Sequence, residues 1–135
     1  MTPDKACPVV LRGAGTSVEI LAFRHPEAGL QLVKGSIERG ERPEEASLRE
    51  LAEESGITEA RVVRSLGAWR SGHEAQIWWF ALVRPAQPLP DAWEHYAPDA
   101  GGVVFTFFWH PLAVPVGVRW HPVFQRAIAF IRTSV

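Results

Sequence analysis

The sequence predicts a layered α/β fold, in which a central β-sheet lies between helices. The segment Gln76–Arg84 is apolar on both faces of a strand, which is typical of a central strand covered on each side. The segments Pro43–Ser55 and Pro122–Arg132 carry apolar residues at helical spacing, as expected for helices that pack on a sheet. With 135 residues, 47% of them hydrophobic, the chain is expected to form a single domain over residues 1–135.

Six segments are predicted as β-strands because they are rich in Val, Ile, Leu and aromatic residues and are separated by Gly and Pro. In chain order they are Cys7–Arg12, Ser17–Arg24, Leu30–Lys34, Arg61–Trp69, Gln76–Arg84 and Val103–Trp109. The stretch from Pro85 to Gly102 is rich in proline and is predicted to be an irregular loop. Because loops of this length in a compact domain are often functional, we expect it to contribute to a site.

The first predicted helix, Pro43–Ser55, has clear end signals. Pro43 suits the first helical position, and Gly56 suits the left-handed residue that ends a helix. Arg42 is then the N-cap residue, although capping preferences do not favour arginine there. These signals predict the two ends of the helix independently of its hydrophobic pattern.

Acidic residues are concentrated around this helix, with seven of the chain's 15 acidic residues between Gly35 and Ile57. The spacing predicts a buried stripe and, on the opposite side, a cluster of carboxylates one turn apart. The stripe consists of Leu48, Leu51 and Ala52, and the cluster of Glu50, Glu53 and Glu54. Each like-charge pair costs only about 0.2–0.5 kcal/mol in an exposed helix. Two interpretations therefore stay open from spacing alone, a solvated acidic surface or carboxylates that converge on a divalent cation.

Composition excludes several classes of protein. The net charge of -1 creates no overall field for nucleic acid or anionic lipid, so extended nucleic acid is not expected as a partner. The single Cys7 forms no internal disulfide and excludes a metal site of several cysteines. The N-terminal residues lack the pattern of a signal peptide, and the apolar runs are too short to span a bilayer. We therefore expect a cytoplasmic protein without a membrane partner.

The stretch from Gly35 to Ile57 resembles the signature of the Nudix hydrolase family. The matching positions are Gly35, Glu41, Arg49, Glu50, Leu51, Glu53, Glu54, Gly56 and Ile57. One departure is Val33, where many members carry proline. The resemblance implies an α/β/α sandwich in which a mixed central sheet lies between helices.

The resemblance also implies a reaction and a set of site residues. Members hydrolyse a diphosphate linked to another group, commonly a nucleoside, so we expect a pyrophosphohydrolase acting on a nucleoside or dinucleoside polyphosphate. The implied cofactor is Mg²⁺, with Mn²⁺ as a possible substitute. It would be held by Glu50, Glu53 and Glu54, with the backbone of Gly35 close by. Glu53, Glu50 and Arg49 are the implied catalytic group; either glutamate can be the general base, and Arg49 is expected to act as an internal clamp on a glutamate such as Glu41.

Many members add an acidic residue from a distant loop. The candidates are Glu74, Glu94 and Asp99, of which the last two are favoured because they lie in the predicted loop. His95 and His73 are candidates for phosphate binding or acid–base chemistry, since an unperturbed imidazole titrates near neutrality.

Aromatic and basic residues supply further candidates for substrate binding. Trp93 and Tyr96 either stack on a nucleobase or close the loop as a hydrophobic latch. Trp78 and Trp79 are expected mainly in the core. Three basic residues are candidates for binding substrate phosphates, and nothing in the sequence selects among them: Lys34, Arg24 and Arg70.

Two other functions compete with hydrolysis. A catalytically inactive nucleotide sensor on the same fold need not keep the carboxylates, whereas this chain has all of them. An acidic protein-interaction domain predicts folding without metal and no turnover. The sequence therefore favours the enzyme, with a homodimer possible and the substrate unassigned.

Overall fold

The computed structural model describes residues 1–135 and contains nine β-strands and two α-helices. The strands are β1 (Lys5–Val9), β2 (Leu11–Arg12), β3 (Glu19–His25), β4 (Gly29–Gln31), β5 (Gly35–Ser36), β6 (Ala60–Arg70), β7 (Ile77–Pro85), β8 (Trp93–Ala97) and β9 (Val103–Pro111). The helices are α1 (Pro43–Ser55) and α2 (Pro122–Ser134). Neither helix is long and apolar enough to span a membrane.

The strands form two sheets rather than one. The first sheet has the order β5-β1-β7-β6, with β1 and β7 parallel and the other pairs antiparallel. The second sheet has the order β2-β3-β9-β8, with β4 paired to β3, and is antiparallel throughout. The predicted α/β class with mixed strand directions is confirmed. The division into two sheets arises at Val10, where the chain leaves β1 in one sheet and enters β2 in the other.

Each face of the central strand β7 is covered by a different core. Trp78 and Phe80 are fully buried in a cluster with Ile128 and other residues of α2. Ala81 and Val83 point the other way, into a cluster that includes Leu51 of α1 together with residues of the second sheet. The prediction that both faces of Gln76–Arg84 are covered is therefore confirmed.

The predicted irregular loop from Pro85 to Gly102 is wrong in part, because it contains β8 and a short 3₁₀ turn at Pro98–Ala100. β8 pairs with β9 at the edge of the second sheet. Prolines on both sides and the charged Glu94 obscure the two-residue alternation of this strand in the sequence.

The other strand predictions differ mainly at their ends. β3, β6, β7 and β9 lie where strands were predicted, with ends within two residues of the expected ones. The predicted Cys7–Arg12 is divided between two strands, and Leu30–Lys34 is reduced to the shorter β4. The two-residue β5 was not predicted, because so short a segment has no period of its own.

Helix α1 begins and ends at the predicted residues, and Gly56 has the left-handed conformation, with φ of 81°. The side chain of Arg42 does not cap the helix. Instead, the backbone N–H of Arg42 donates to Glu45 Oε1 at 2.9 Å. The carboxylate of Glu45 near the positive helix end thus compensates for the weak N-cap residue.

Candidate active site

The buried side of α1 carries one of its acidic residues. Ser47, Leu51 and Glu54 are all buried, with exposures of 0%, 1% and 9%. The prediction that Glu54 lies on the side opposite Leu51 is therefore wrong, because positions i, i+4 and i+7 form the packed stripe of this helix. A carboxylate is consequently held inside the protein, facing the strands that α1 covers.

Gly35 lies directly against the carboxyl group of Glu50. A Cβ atom at this position would overlap the carboxyl carbon and both oxygens of Glu50. Because glycine has no Cβ, the β5 backbone can approach the acidic face of α1 this closely.

Arg49 ties the loop before α1 to the helix. Its Nε donates to Glu41 Oε2 at 2.7 Å, and its Nη2 donates to Glu41 Oε1 at 2.9 Å and to the carbonyl oxygen of Ser36 at 2.8 Å. The hydrogen bonds from Arg49, and a further one from the backbone N–H of Glu38, lower the pKa of Glu41 to about 2. This bidentate pair fixes the position of β5 relative to the helix.

The same guanidinium also reaches the acidic cluster. Nη1 of Arg49 donates to Glu50 Oε1 at 2.9 Å and to Glu53 Oε2 at 3.3 Å. The carboxylates do not converge on one point as a preformed metal centre. Arg49 therefore compensates part of the negative charge and holds Glu50 and Glu53 side by side.

Glu54 is the most strongly perturbed of the acidic residues. Its Oε2 atom is buried without a hydrogen-bond partner. Burial raises its pKa to about 8, and the nearby charge of Glu50 adds to the rise. A buried carboxylate oxygen without a partner is costly unless something binds it. Carboxylate oxygens are hard donors, so the chemistry of these residues fits a divalent cation such as Mg²⁺ or Mn²⁺.

A small cavity of about 160 Å³ joins these groups to residues from other elements. It is lined by Lys34, Glu50, Glu53, Glu54, Ala97, Asp99 and Ala100. The Lys34 Nζ atom lies 5.0 Å from the centre of the Trp78 ring. Burial lowers the pKa of Lys34. One cation and four carboxylates therefore surround a single space, in which an anionic phosphate and a metal ion can both be bound.

One family model matches almost the whole chain. The NUDIX domain family model matches residues 2–123. The chain belongs to the Nudix hydrolase family.

Individual relatives are more distant. The ADP-ribose pyrophosphatase of Haemophilus influenzae is 41% identical over 59 residues, which are 40% of this chain but only 27% of that relative's length. Among solved structures, an ADP-ribose pyrophosphatase from Streptococcus suis has a TM-score of 0.63 at 15% identity and covers 99% of this chain and 94% of its own. The Ap4A hydrolase of C. elegans has a TM-score of 0.65 at 17% identity and covers 98% and 95%. At these identities the solved structures show the fold alone.

Of the acidic candidates outside the Nudix motif, the structure brings only Asp99 to the cavity. Glu94 is exposed on β8 and does not line it. Glu74 lies in the turn between β6 and β7, where its Oε2 accepts from Gln76 Nε2 at 3.1 Å and lies 3.7 Å from His73 Nε2. The His73 ring packs against His121 instead of the Nudix carboxylates.

The candidates Trp93 and His95 pack against the C-terminal end of α1 and do not line the cavity. The Trp93 ring stacks on Phe107 at 5.0 Å, and its Nε1 donates to the carbonyl oxygen of Ser55 at 3.0 Å. His95 Nε2 lies 3.1 Å from the carbonyl oxygen of Glu53, and its ring contacts Gly56. Both side chains therefore hold β8 against the end of α1, and the latch interpretation of Trp93 describes its contacts.

The contact between Lys34 and Trp78 was not predicted from the sequence. Trp78 was expected only in the core, yet its ring also faces the Lys34 ammonium group. Two strand pairings bring the residues together: Lys34 directly precedes β5, which pairs with β1, and β1 pairs with β7, which carries Trp78. No local pattern signals a contact that depends on these pairings.

Proposed function

We propose that this Nudix protein is a divalent-cation-dependent pyrophosphohydrolase that cleaves the diphosphate linkage of a nucleoside diphosphate derivative. The observation that carries the proposal is the buried, unpartnered carboxylate oxygen of Glu54. It lies in one cavity with Glu50, Glu53 and the cation Lys34. Mg²⁺ is the expected cofactor, and Mn²⁺ is expected to replace it.

Glu50, Glu53 and Glu54 supply the oxygen ligands in this proposal, and the close approach of Gly35 keeps Glu50 in place. When bound, the cation would screen the charge of the diphosphate, polarise a phosphoryl oxygen and lower the pKa of a bound water. Lys34, which also lines the cavity, binds a phosphate oxygen. Arg49 acts through other residues, by positioning Glu50 and Glu53.

The proposed reaction transfers one phosphoryl group to water. The water oxygen forms a bond to one phosphorus atom while the bond from that phosphorus to the bridging oxygen breaks. Glu53 accepts the proton of the water, because its side chain is 32% exposed whereas that of Glu50 is 14% exposed. Two phosphate monoesters leave, and in this proposal Asp99, which lines the cavity, orients the water.

ADP-ribose is the first substrate to test. The similarity to the Haemophilus influenzae ADP-ribose pyrophosphatase over 59 residues supports this choice. Cleavage of its diphosphate bridge would release AMP and ribose 5-phosphate. Dinucleoside polyphosphates and other diphosphates complete the panel.

The test is a ³¹P NMR assay of that panel with Mg²⁺, with Mn²⁺ and with EDTA. We expect hydrolysis of at least one diphosphate with either metal and none with EDTA. The variants Glu53→Gln and Glu54→Gln are expected to lower kcat at least about 10²-fold, the scale for loss of a preorganised electrostatic group. Tight binding of a nucleotide without any turnover would contradict the proposal and favour the sensor.

A cytoplasmic location, a homodimer and the absence of extended nucleic acid among the partners stay predictions. They rest on composition and family resemblance. Cell fractionation, sedimentation and a DNA-binding assay test them separately.

A further inference from the structure

Lys34 is the positively charged side chain of the carboxylate cavity. It lines this space together with Glu50, Glu53, Glu54 and Asp99. Its Nζ atom nevertheless forms no salt bridge with any of them, whereas Arg49 pairs with both Glu50 and Glu53. An ammonium group beside carboxylates ordinarily pairs with one of them. Another contact therefore determines where this ammonium group lies.

The ring of Trp78 supplies that contact. The Lys34 Nζ atom is 5.0 Å from the centre of the ring, within the distance of about 6 Å at which the negative face of an indole attracts a cation. Among aromatic side chains, tryptophan attracts cations most strongly. Trp78 is completely buried, with an exposure of 0%, so water does not compete for the face that Lys34 contacts.

The indole of Trp78 has a fixed orientation. Its Nε1 donates to Gln76 Oε1 at 2.9 Å, and Gln76 Nε2 donates in turn to Glu74 Oε2 at 3.1 Å. The ring packs against Phe124 of α2, with 5.5 Å between the ring centres. A ring that is held by a hydrogen bond at its edge and by packing presents the same face to Lys34 at all times.

A cation held by an aromatic ring differs chemically from a cation held by a carboxylate. A salt bridge would cancel the charge of Lys34 and use at least one of its three N–H donors. The attraction to a ring face leaves the formal charge uncompensated. The ammonium group therefore stays available to an anion that enters the cavity, and the carboxylates stay available to a cation.

We propose that Trp78 is a positioning residue for diphosphate binding, which holds the Lys34 ammonium group apart from the cavity carboxylates. The inference rests on the proposed function and adds to it a residue that does not touch the substrate. With the ring in place, Lys34 binds a phosphate oxygen while Glu50, Glu53 and Glu54 bind the divalent cation. Without the attraction of the ring, Lys34 pairs with a carboxylate and the phosphate loses its partner.

The experiment replaces Trp78 by tetrafluorotryptophan through site-specific incorporation. Fluorine withdraws electrons from the ring face but keeps the ring shape and the indole N–H, so the attraction is lost while the packing is largely kept. The matched control carries the same residue at Trp120, which is buried in the same core and contacts Phe108 and His110. Each protein is also made with Lys34→Met, and thermal denaturation shows that each is folded.

The quantity measured is the binding of methylenediphosphonate, a diphosphate analogue that is not hydrolysed, by isothermal titration calorimetry with Mg²⁺. We expect fluorination at Trp78 to weaken this binding about 2- to 30-fold, the range of one cation–π contact. Fluorination at Trp120 is expected to leave binding unchanged. In the Lys34→Met protein, fluorination at Trp78 is expected to have no further effect, because the ring then has no cation to hold.

A second readout needs no variant. The Hε protons of Lys34 are expected to resonate upfield of those of an exposed lysine in ¹H NMR of the wild type, because the ring current of Trp78 acts on them. An unshifted resonance would show that the contact is not formed. Wild-type protein that does not bind the analogue with Mg²⁺ would also contradict the proposal.

The outcomes separate this inference from the proposed reaction. Equal binding by the two fluorinated proteins, or an undiminished effect at Trp78 in the Lys34→Met protein, would show that Trp78 acts only through packing. If the coupling between Trp78 and Lys34 is found while no diphosphate is hydrolysed, the positioning role stands and the proposed reaction is overturned.

Discussion

At the scale of single residues, Glu54 is the side chain on which the proposed metal chemistry depends most. A glutamate side chain in water is charged at neutral pH, whereas the Oε2 atom of Glu54 is buried without a hydrogen-bond partner. Burial and the neighbouring Glu50 together raise its pKa to about 8. The metal-free protein therefore holds this group protonated at neutral pH, and a bound cation would reverse that preference.

The raised pKa of Glu54 predicts how the free energy of unfolding depends on pH. Between the ordinary pKa of 4.5 and about 8, the folded metal-free protein keeps a proton that the unfolded chain releases. Stability from this group therefore falls as pH rises through that window. We expect urea denaturation in EDTA to show this fall in the wild type, relative to Glu54→Gln.

Saturating Mg²⁺ is expected to restore stability above pH 8 in the wild type, and to do so much less in Glu54→Gln. Parallel pH profiles for the two proteins in EDTA would show that Glu54 titrates normally. An equal effect of Mg²⁺ on both proteins would remove Glu54 from the metal site.

Gly35 allows a second prediction at this scale. We expect Gly35→Ala to displace the Glu50 carboxyl group, because the added methyl group occupies the same space. The expected loss in kcat is about 10²-fold, measured with the best substrate of the panel. The control is Gly117→Ala, where an added Cβ meets nothing within 4 Å. Equal activity of the two variants would show that Glu50 has room to move without cost.

At the scale of elements, the ends of α1 carry the residues that helix ends favour, whereas the turn between β6 and β7 lacks the residues that its conformation favours. α1 has its expected proline start and glycine end. In this turn two residues other than glycine, Glu74 and Ala75, have positive φ angles of 51° and 56°. The turn is closed by a hydrogen bond from Gln76 N–H to the carbonyl oxygen of His73 at 2.9 Å. Such two-residue turns favour Asn and Gly, which adopt positive φ with less strain.

We expect Ala75→Gly to stabilise the protein by about 0.5–1 kcal/mol, because the relief of left-handed strain exceeds the entropy that glycine costs. The matched control is Ala129→Gly on the exposed side of α2, where the same substitution should destabilise by about 1 kcal/mol. Urea denaturation of both variants measures the two signs. A loss of stability in Ala75→Gly would contradict a strained turn.

At the scale of the whole molecule, two cores on opposite sides of the strands serve different purposes. The α2 core contains Ile128, whereas the α1 core contains Leu51 from the helix that carries the carboxylates. Both side chains are essentially inaccessible to solvent. The α1 core therefore supports the acidic helix directly, whereas the α2 core meets the site at Trp78, whose ring faces Lys34.

Truncation of each core residue tests this difference. Ile128→Ala and Leu51→Ala are both expected to lower the free energy of unfolding by about 2–5 kcal/mol. Only Leu51→Ala is expected to lower kcat in the folded protein as well, because α1 shifts as the cavity relaxes. Urea denaturation and kcat measured well below each Tm give the two quantities. An equal loss of kcat in both variants would show that the cores are coupled.

The local features of this protein are readable from its sequence. The ends of α1 follow from Pro43 and Gly56, and the proximity of Glu50 and Glu53 follows from helical spacing, since neighbours within one turn determine both. The burial of Glu54 on the packed side of the helix does not follow from that spacing. The two apolar faces of β7 follow from alternation along one strand. The family motif adds the expected α/β class.

Tertiary structure alone decided which distant residues meet at the site. The pairing of β1 with both β5 and β7 brings Lys34 to Trp78. The pairing of β8 with β9 brings Asp99 to the carboxylates. It also placed Trp93 and Tyr96 on opposite faces of one strand, although both looked equally suited to stack on a base. Strand pairing depends on how whole faces pack across the core. A short segment of sequence does not specify which face it will pack against.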